Sequence, residues 1–241
     1  MNEYNMLVID EIRDWRKKIL KKSGLVKGLT KKAQNKVNSM IPEKAHRVIT
    51  EGIKGMVKAT LTGSNITTKK HQYNDLTLYE RDKLLNEKLS NYKKTAAAEG
   101  AGTGAGGIFL GLADFPLLLS VKMKFLFDVA AVYGYDTNQY EERLFILHVF
   151  QLAFSNDEKR RETFNIIENW EEHKDTLVDM DWHVFQQEYR DYIDFVKMLQ
   201  LIPGFGAVIG AYANYNLLDQ LGETAMNAYR MRLLKEAPKD Y

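Results

Sequence analysis

Glu99, Asp114 and Asn214 are the residues of this 241-residue chain best suited by type and setting to acid–base chemistry. Each is a carboxylate or amide inside apolar or glycine-rich sequence, where a polar side chain must find a hydrogen-bond partner. If the two glycine-lined segments that carry them meet, the three converge on a polar pocket within a helical bundle. A hydrolase or peptidase-like enzyme could use such a pocket; helix capping and interhelical hydrogen bonding account for the same residues without catalysis. Lys122, Lys124 and Asp128 are charged residues in similarly apolar surroundings, and Lys124 and Asp128, one helical turn apart, are placed to pair. No role as acid or base is assigned to any of them.

Stronger catalytic signatures are missing. The five histidines, at 46, 71, 148, 173 and 183, form no His-Glu-x-x-His motif, so no metal is expected. His148, within "FILHVFQLAF", reads as a core histidine, and His173 as part of a solvated helical junction. The chain has no cysteine, which excludes thiolate nucleophiles, disulfides and cysteine-ligated zinc. A Gly-x-Ser-x-Gly elbow is also lacking.

One motif invites a cofactor. "AAAEGAGTGAGGIFLGLADFP" contains Gly102-x-Gly104-x-x-Gly107, the spacing of a dinucleotide-binding turn. Such a turn follows a strand and opens a helix, so that backbone amides meet pyrophosphate at the helix N-terminus. Here the preceding "LLNEKLSNYKKTAAA" is made of strong helix formers, and Ile108 stands where a phosphate-binding loop needs lysine. No cofactor is expected. Helical spacing explains the glycines better: Gly100, Gly104, Gly107 and Gly111 recur every three or four residues on one face. Each glycine costs a helix about 1 kcal/mol relative to alanine, which close approach of another backbone offsets through dispersion. Gly206 and Gly210, in "IPGFGAVIGAYANYNLL", supply a second smooth face.

The elements that would position these residues are helices. Only four prolines occur, and alternating strand-like runs are absent. Val8, Ile12, Trp15 and Ile19 form one helical stripe; Ala45, Val48, Ile49, Ile53, Met56 and Val57 form another. Residues 62–76 read as a polar loop. Thr77-x-x-Glu80 is a capping box for a charged helix running to about Ala98. Asp114-Phe115-Pro116 turns the glycine helix into a second apolar arm, with Pro116 in its first turn. Gly134 stops that arm, Asp136-x-x-Gln139 starts the next helix, with Leu144, Leu147, Phe150 and Phe154 on one side, and Ser155-x-x-Glu158 starts another. The expected fold is all-α, a multi-helix bundle around a glycine-rich apolar hairpin, with a basic helical arm over residues 1–62 and a helical core over 77–241.

Net charge is only +2, yet its distribution is uneven. From Arg16 to Lys58 there are thirteen Lys or Arg against two acids, whereas Asp157 to Asp194 has twelve acids against five bases. Trp15, Arg16, Lys17, Lys18, Lys21 and Lys22 therefore suggest an interfacial helix on anionic lipid; docking on the domain is the alternative. Nucleic acid is not expected, since no aromatic platform accompanies the charge. The apolar arm after Pro116 is long enough to span a bilayer. Lys122, Lys124 and Asp128 would cost it about 8–10 kcal/mol, against a return of about 3–5 kcal/mol from its Leu, Phe and Val residues, so spanning loses.

Two stretches resemble the EcsC family: "AEGAGTGAGGIFLGLADFPLLLSVKMKFLFDVAAVYGYD" (98–136), its glycine-rich hairpin, and "LIPGFGAVIGAYANYNLLDQLGETAMNAYRMRLL" (201–234), its second signature. The likeness covers residues 77–235. A fainter one, to hydrophobic helical domains of membrane-associated GTPases, points the same way. The resemblance implies a cytoplasmic protein, peripheral at the inner face of the cell membrane, encoded beside the ATPase and membrane subunits of an ABC exporter. It brings no biochemical activity with it; some relatives carry hydrolase or peptidase labels whose chemistry has no matching residues here. The expected function is thus a helical accessory protein acting through lipid or exporter subunits. A hydrolase, or a carrier of a lipid or small apolar molecule, is the alternative.

Overall fold

The computed structural model describes residues 3–21, 43–63, 73–103, 115–155, 157–179 and 210–236, with 96–103, 157–158, 210–217 and 236 described as backbone only. Among these residues are eight helices and no strand: α1 (Glu3–Leu20), α2 (Glu43–Thr62), α3 (Leu78–Thr103), α4 (Phe115–Tyr133), α5 (Tyr140–Phe154), α6 (Asp157–Glu168), α7 (Trp170–Val178) and α8 (Gly210–Glu236). The fold is an all-α bundle, as the sequence predicts.

Local chemistry sets several of the ends. The Thr77 amide and hydroxyl both donate to the Glu80 carboxylate (2.8 and 2.7 Å), and the Glu80 amide donates back to Thr77 Oγ1, a reciprocal capping box at the start of α3. At the end of α4, Gly134 takes a φ of +95°. Its amide donates to the Ala131 carbonyl and that of Tyr135 to Ala130, the paired bonds of a Schellman stop. Arg81 reinforces that stop from α3, donating to the carbonyls of Tyr133 and Leu76. The start of α5 differs from expectation. Asp136 accepts from the Asn138 amide at 3.0 Å, so it closes an Asx turn one step early. Gln139 takes the N-cap position and makes no side-chain capping bond.

α4, α5 and the second half of α8 occupy the centre. The apolar spacing predicts one apolar side for α5, but Leu144 through Phe154 are buried without interruption. The reason is positional: α5 is packed against α2, α4, α6, α7 and α8. The two N-terminal stripes are present as read, and Trp15, Ala45, Ile49, Ile53, Met56 and Val57 belong to the same continuous core as α4 and α5. Two glycines mark close approach. A Cβ at Gly222 of α8 would lie 2.7 Å from Leu89 of α3, and one at Gly52 of α2 would lie 2.9 Å from the Phe115 ring.

α3 remains helical through Gly100 and Gly102 to Thr103, so no strand leads into the glycine motif. Gly210 is the first residue of α8, while Gly104, Gly107, Gly111 and Gly206 lie outside the described residues. Among the described residues no helix is long and apolar enough to cross a membrane.

Candidate functional site

The polar chemistry of the described structure is gathered on the second half of α8, where Tyr229, Arg230 and Arg232 follow one another closely. At about 100° of rotation per residue, side chains two apart leave a helix on widely separated bearings. Arg230 therefore reaches α3, and Arg232 reaches α5.

Arg230 meets Asp82, which is 2% exposed. Its Nε lies 3.1 Å from both carboxylate oxygens and its Nη2 lies 2.8 Å from Oδ2. Tyr133 of α4 donates to Asp82 Oδ1 and Tyr4 of α1 donates to Oδ2, at 2.5 and 2.6 Å. The remaining arm of the guanidinium donates to Glu11 at 2.9 Å and to Asn227 Oδ1 at 3.4 Å. Four helices meet at this one carboxylate. Burial and then the neighbouring Asp82 hold the Tyr133 hydroxyl well above its ordinary value, keeping it a proton donor.

Arg232 meets Glu142 of α5 at 2.7 Å, and Tyr229 donates to the other oxygen of that carboxylate at 2.5 Å. Glu171 of α7 stands 3.9 Å from the same guanidinium, whose carbon lies 4.2 Å from the centre of Tyr135 and 4.8 Å from that of Phe145. Burial pushes the Glu142 carboxyl upward, while Arg232 and Tyr229 oppose the shift. The two networks touch, because the rings of Tyr133 and Tyr229 stack with centroids 6.0 Å apart.

A third carboxylate, Asp128 of α4, accepts from Tyr92 at 2.9 Å and pairs with Lys124 at 2.9 Å and Lys88 at 3.4 Å. The Lys124–Asp128 pair is the one expected from their spacing. Lys122 is buried at 2% exposure. His148 is a core histidine: its Nδ1 donates to the Leu144 carbonyl at 2.8 Å, its ring meets Trp170 edge-on, and burial pushes it down to about 4. His173 is half-buried at the start of α7 and donates to the Asn169 carbonyl. Among the described residues no group of three or more His, Asp or Glu is arranged to hold a metal.

The residues singled out by sequence fall in three places. Glu99 lies in α3 and Asn214 in α8, but their side chains, and Asp114 altogether, lie outside what is described. Of the basic helix, Trp15 is 4% exposed and faces Phe164 of α6 at 5.6 Å. Arg16 lies 3.2 Å from Glu168, Lys17 3.0 Å from Asp14 and Lys18 2.7 Å from Glu223. Lys21 is exposed, and Lys22 is not among the described residues. Asp82, Glu142, Arg230 and Arg232 are not among the residues that sequence pattern singles out. A signal for the first was present: Leu78, Asp82, Leu85, Leu89 and Tyr92 alternate at four and three residues, putting an acid on the apolar stripe.

Chemically, these networks hold helices together. A carboxylate offers about four acceptor sites, and two tyrosines with a chelating arginine fill those of Asp82. The profile of the EcsC protein family fits residues 7–234, nearly the whole chain. The chain belongs to the EcsC protein family. It is 53% identical over 232 residues to Protein EcsC of Bacillus subtilis (strain 168), covering 96% of this chain and 97% of that one. It is also 32% identical over 154 residues to the uncharacterized protein YdbA of the same organism, covering 62% and 57% of the two chains. No solved structure matches significantly. The EcsC match takes in α1 from residue 7 onward, together with every network residue except Tyr4.

Proposed function

We propose that this chain is a helical accessory protein that works at the cytoplasmic membrane surface beside an ABC exporter, through lipid or protein contacts and not through catalysis. The observation that carries the non-catalytic part is the state of its buried acids. Asp82, Glu142 and Asp128 are each committed to tyrosine hydroxyls and basic side chains from neighbouring helices. A carboxylate so occupied has no position from which to take a substrate's proton. The exporter link follows from the family resemblance of the two glycine-rich signatures. Lipid contact draws support from the basic end of α1, where Arg13, Arg16, Lys17, Lys18 and Lys21 all stand exposed. Each lysine or arginine near an anionic leaflet contributes about 1 kcal/mol, screened by salt.

Co-sedimentation of the purified chain with vesicles tests the lipid part. Binding to phosphatidylglycerol-containing vesicles, absent with phosphatidylcholine alone and lost at high salt, is the expected result. Indifference to lipid charge and to salt overturns it. Co-purification of exporter subunits from detergent extracts tests the protein part.

A further inference from the structure

We infer that the lipid-binding surface of α1 is its concealed side, and that α1 leaves the body of the protein when it meets an anionic bilayer. The inference rests on the membrane-surface reading above and adds what must move. Val8 and Trp15 are buried and Ile12 and Ile19 partly so, with Trp15 turned against Phe164. A helix bound flat to a membrane puts these residues into the acyl boundary and its lysines at the headgroups. In the docked position the two requirements conflict, because the apolar side faces protein while the bases face water.

Three features make release feasible. The charged contacts toward the basic end of α1 lie at its rim: Lys18–Glu223 has side chains 69% and 39% exposed, and Arg16 is 53% exposed where it meets Glu168, at 19%. Pairs so exposed bind weakly, and anionic headgroups compete directly for their bases. The buried Asp82 site stays charge-balanced without α1, since Asp82 keeps Arg230 and Tyr133 when Tyr4 and Glu11 depart. Glu11 is in fact a second acid against one arginine, so its removal leaves an even pair. Finally, the strongly buried Glu142–Arg232 network is built from α5, α7 and α8 and does not involve α1. Release uncovers Phe164 and its surroundings, and the partner that fits the freed helix is a bilayer bearing anionic lipid.

The chain has no cysteine, so Lys18→Cys with Glu223→Cys creates a single pair, at one exposed and one half-buried position, for a short bismaleimide cross-linker. The full-length double variant is tested before and after cross-linking against phosphatidylglycerol–phosphatidylcholine vesicles. The expected result is that the uncross-linked form binds more weakly than the unmodified chain by the one base lost, roughly fivefold, and that cross-linking weakens it at least about tenfold further. Equal binding by both forms overturns the release and leaves the membrane reading standing. No binding by the unmodified chain overturns both.

Discussion

Arg230 and Lys18 both tie a helix to the body of the molecule through a carboxylate, and they do so under opposite physical conditions. Arg230 is 9% exposed at its side chain and meets an Asp82 that is 2% exposed; Lys18 stands largely in water and Glu223 partly so. In the first case two charges have been taken out of solvent, and their attraction is needed to offset the loss of hydration. In the second neither charge gave up much, so neither gains much. The difference separates a permanent junction from a removable one. The interior junctions use arginine with tyrosine, whose planar fork and directional hydroxyl suit a site that must satisfy every acceptor. At the rim, Lys18 is a hydrated point charge on a flexible stem.

The sharpest way to break this comparison is to remove the inner arginine. Arg230→Met leaves Asp82 buried with tyrosines alone, and unfolding free energy should drop by about 3–5 kcal/mol in urea denaturation. Adding Asp82→Leu to that variant should recover part of the loss, because the orphaned charge goes with it. A loss below about 1 kcal/mol for Arg230→Met would show that the junction is no different from the rim.

His148 sharpens the comparison through pH. Burial holds it at about 4 against an ordinary 6.5, so the unfolded chain takes up its proton at higher pH than the folded one. The stability conferred by the neutral ring is full above pH 6.5 and is lost as pH falls toward 4. The amplitude is of order 3 kcal/mol. His148→Asn keeps a donor near the Leu144 carbonyl and removes the titration. Its stability should therefore fall less steeply than that of the parent between pH 6.5 and 4, as read from denaturation midpoints across that range. Identical slopes would mean that the ring is solvated.

What the sequence disclosed divides along the same line. Contacts closed within one turn were legible: the Thr77–Glu80 box, the Gly134 stop and the Lys124–Asp128 pair each depend on neighbours three to five residues away. The Asp82–Arg230 and Glu142–Arg232 junctions link residues 148 and 90 positions apart, and in sequence each looks like an ordinary charged helix. Only the fold decides which charge turns inward. The acid on the Leu78–Leu89 stripe was a visible anomaly, whereas Arg232 carried none. Glycines behaved likewise. Among the described residues, the tight glycine contacts between helices are at Gly52 and Gly222, which no regular glycine run singles out in the sequence.

Gly52 allows a smaller and more local test, within one helix. In α2, a Cβ at Gly52 would lie 2.9 Å from two atoms of the Phe115 ring, a rigid neighbour buried in the core, while one at Gly55 meets nothing within 4 Å. Gly52→Ala should destabilise by about 1–2 kcal/mol, overpacking outweighing the gain in helix propensity. Gly55→Ala should stabilise by about 0.5–1 kcal/mol. Thermal melts of the two variants should shift in opposite directions, and a shared sign would remove the close packing of α2 against α4.

The smallest effect belongs to the rim. Lys18→Ala removes a pair whose lysine is 69% exposed, and its effect on unfolding free energy should stay below about 0.5 kcal/mol, shrinking further in salt. A weak contribution to folding is what an exchangeable contact requires, since a bilayer can draw α1 away only if the body gives up little by losing it. Binding should respond more than stability does, because removing one base near an anionic surface forfeits about 1 kcal/mol, roughly fivefold in affinity. A variant that melts like the parent and binds vesicles severalfold more weakly would place Lys18 on the membrane side of that exchange. The reverse pattern, a clear loss of stability with vesicle binding unchanged, would place it among the permanent junctions with Arg230.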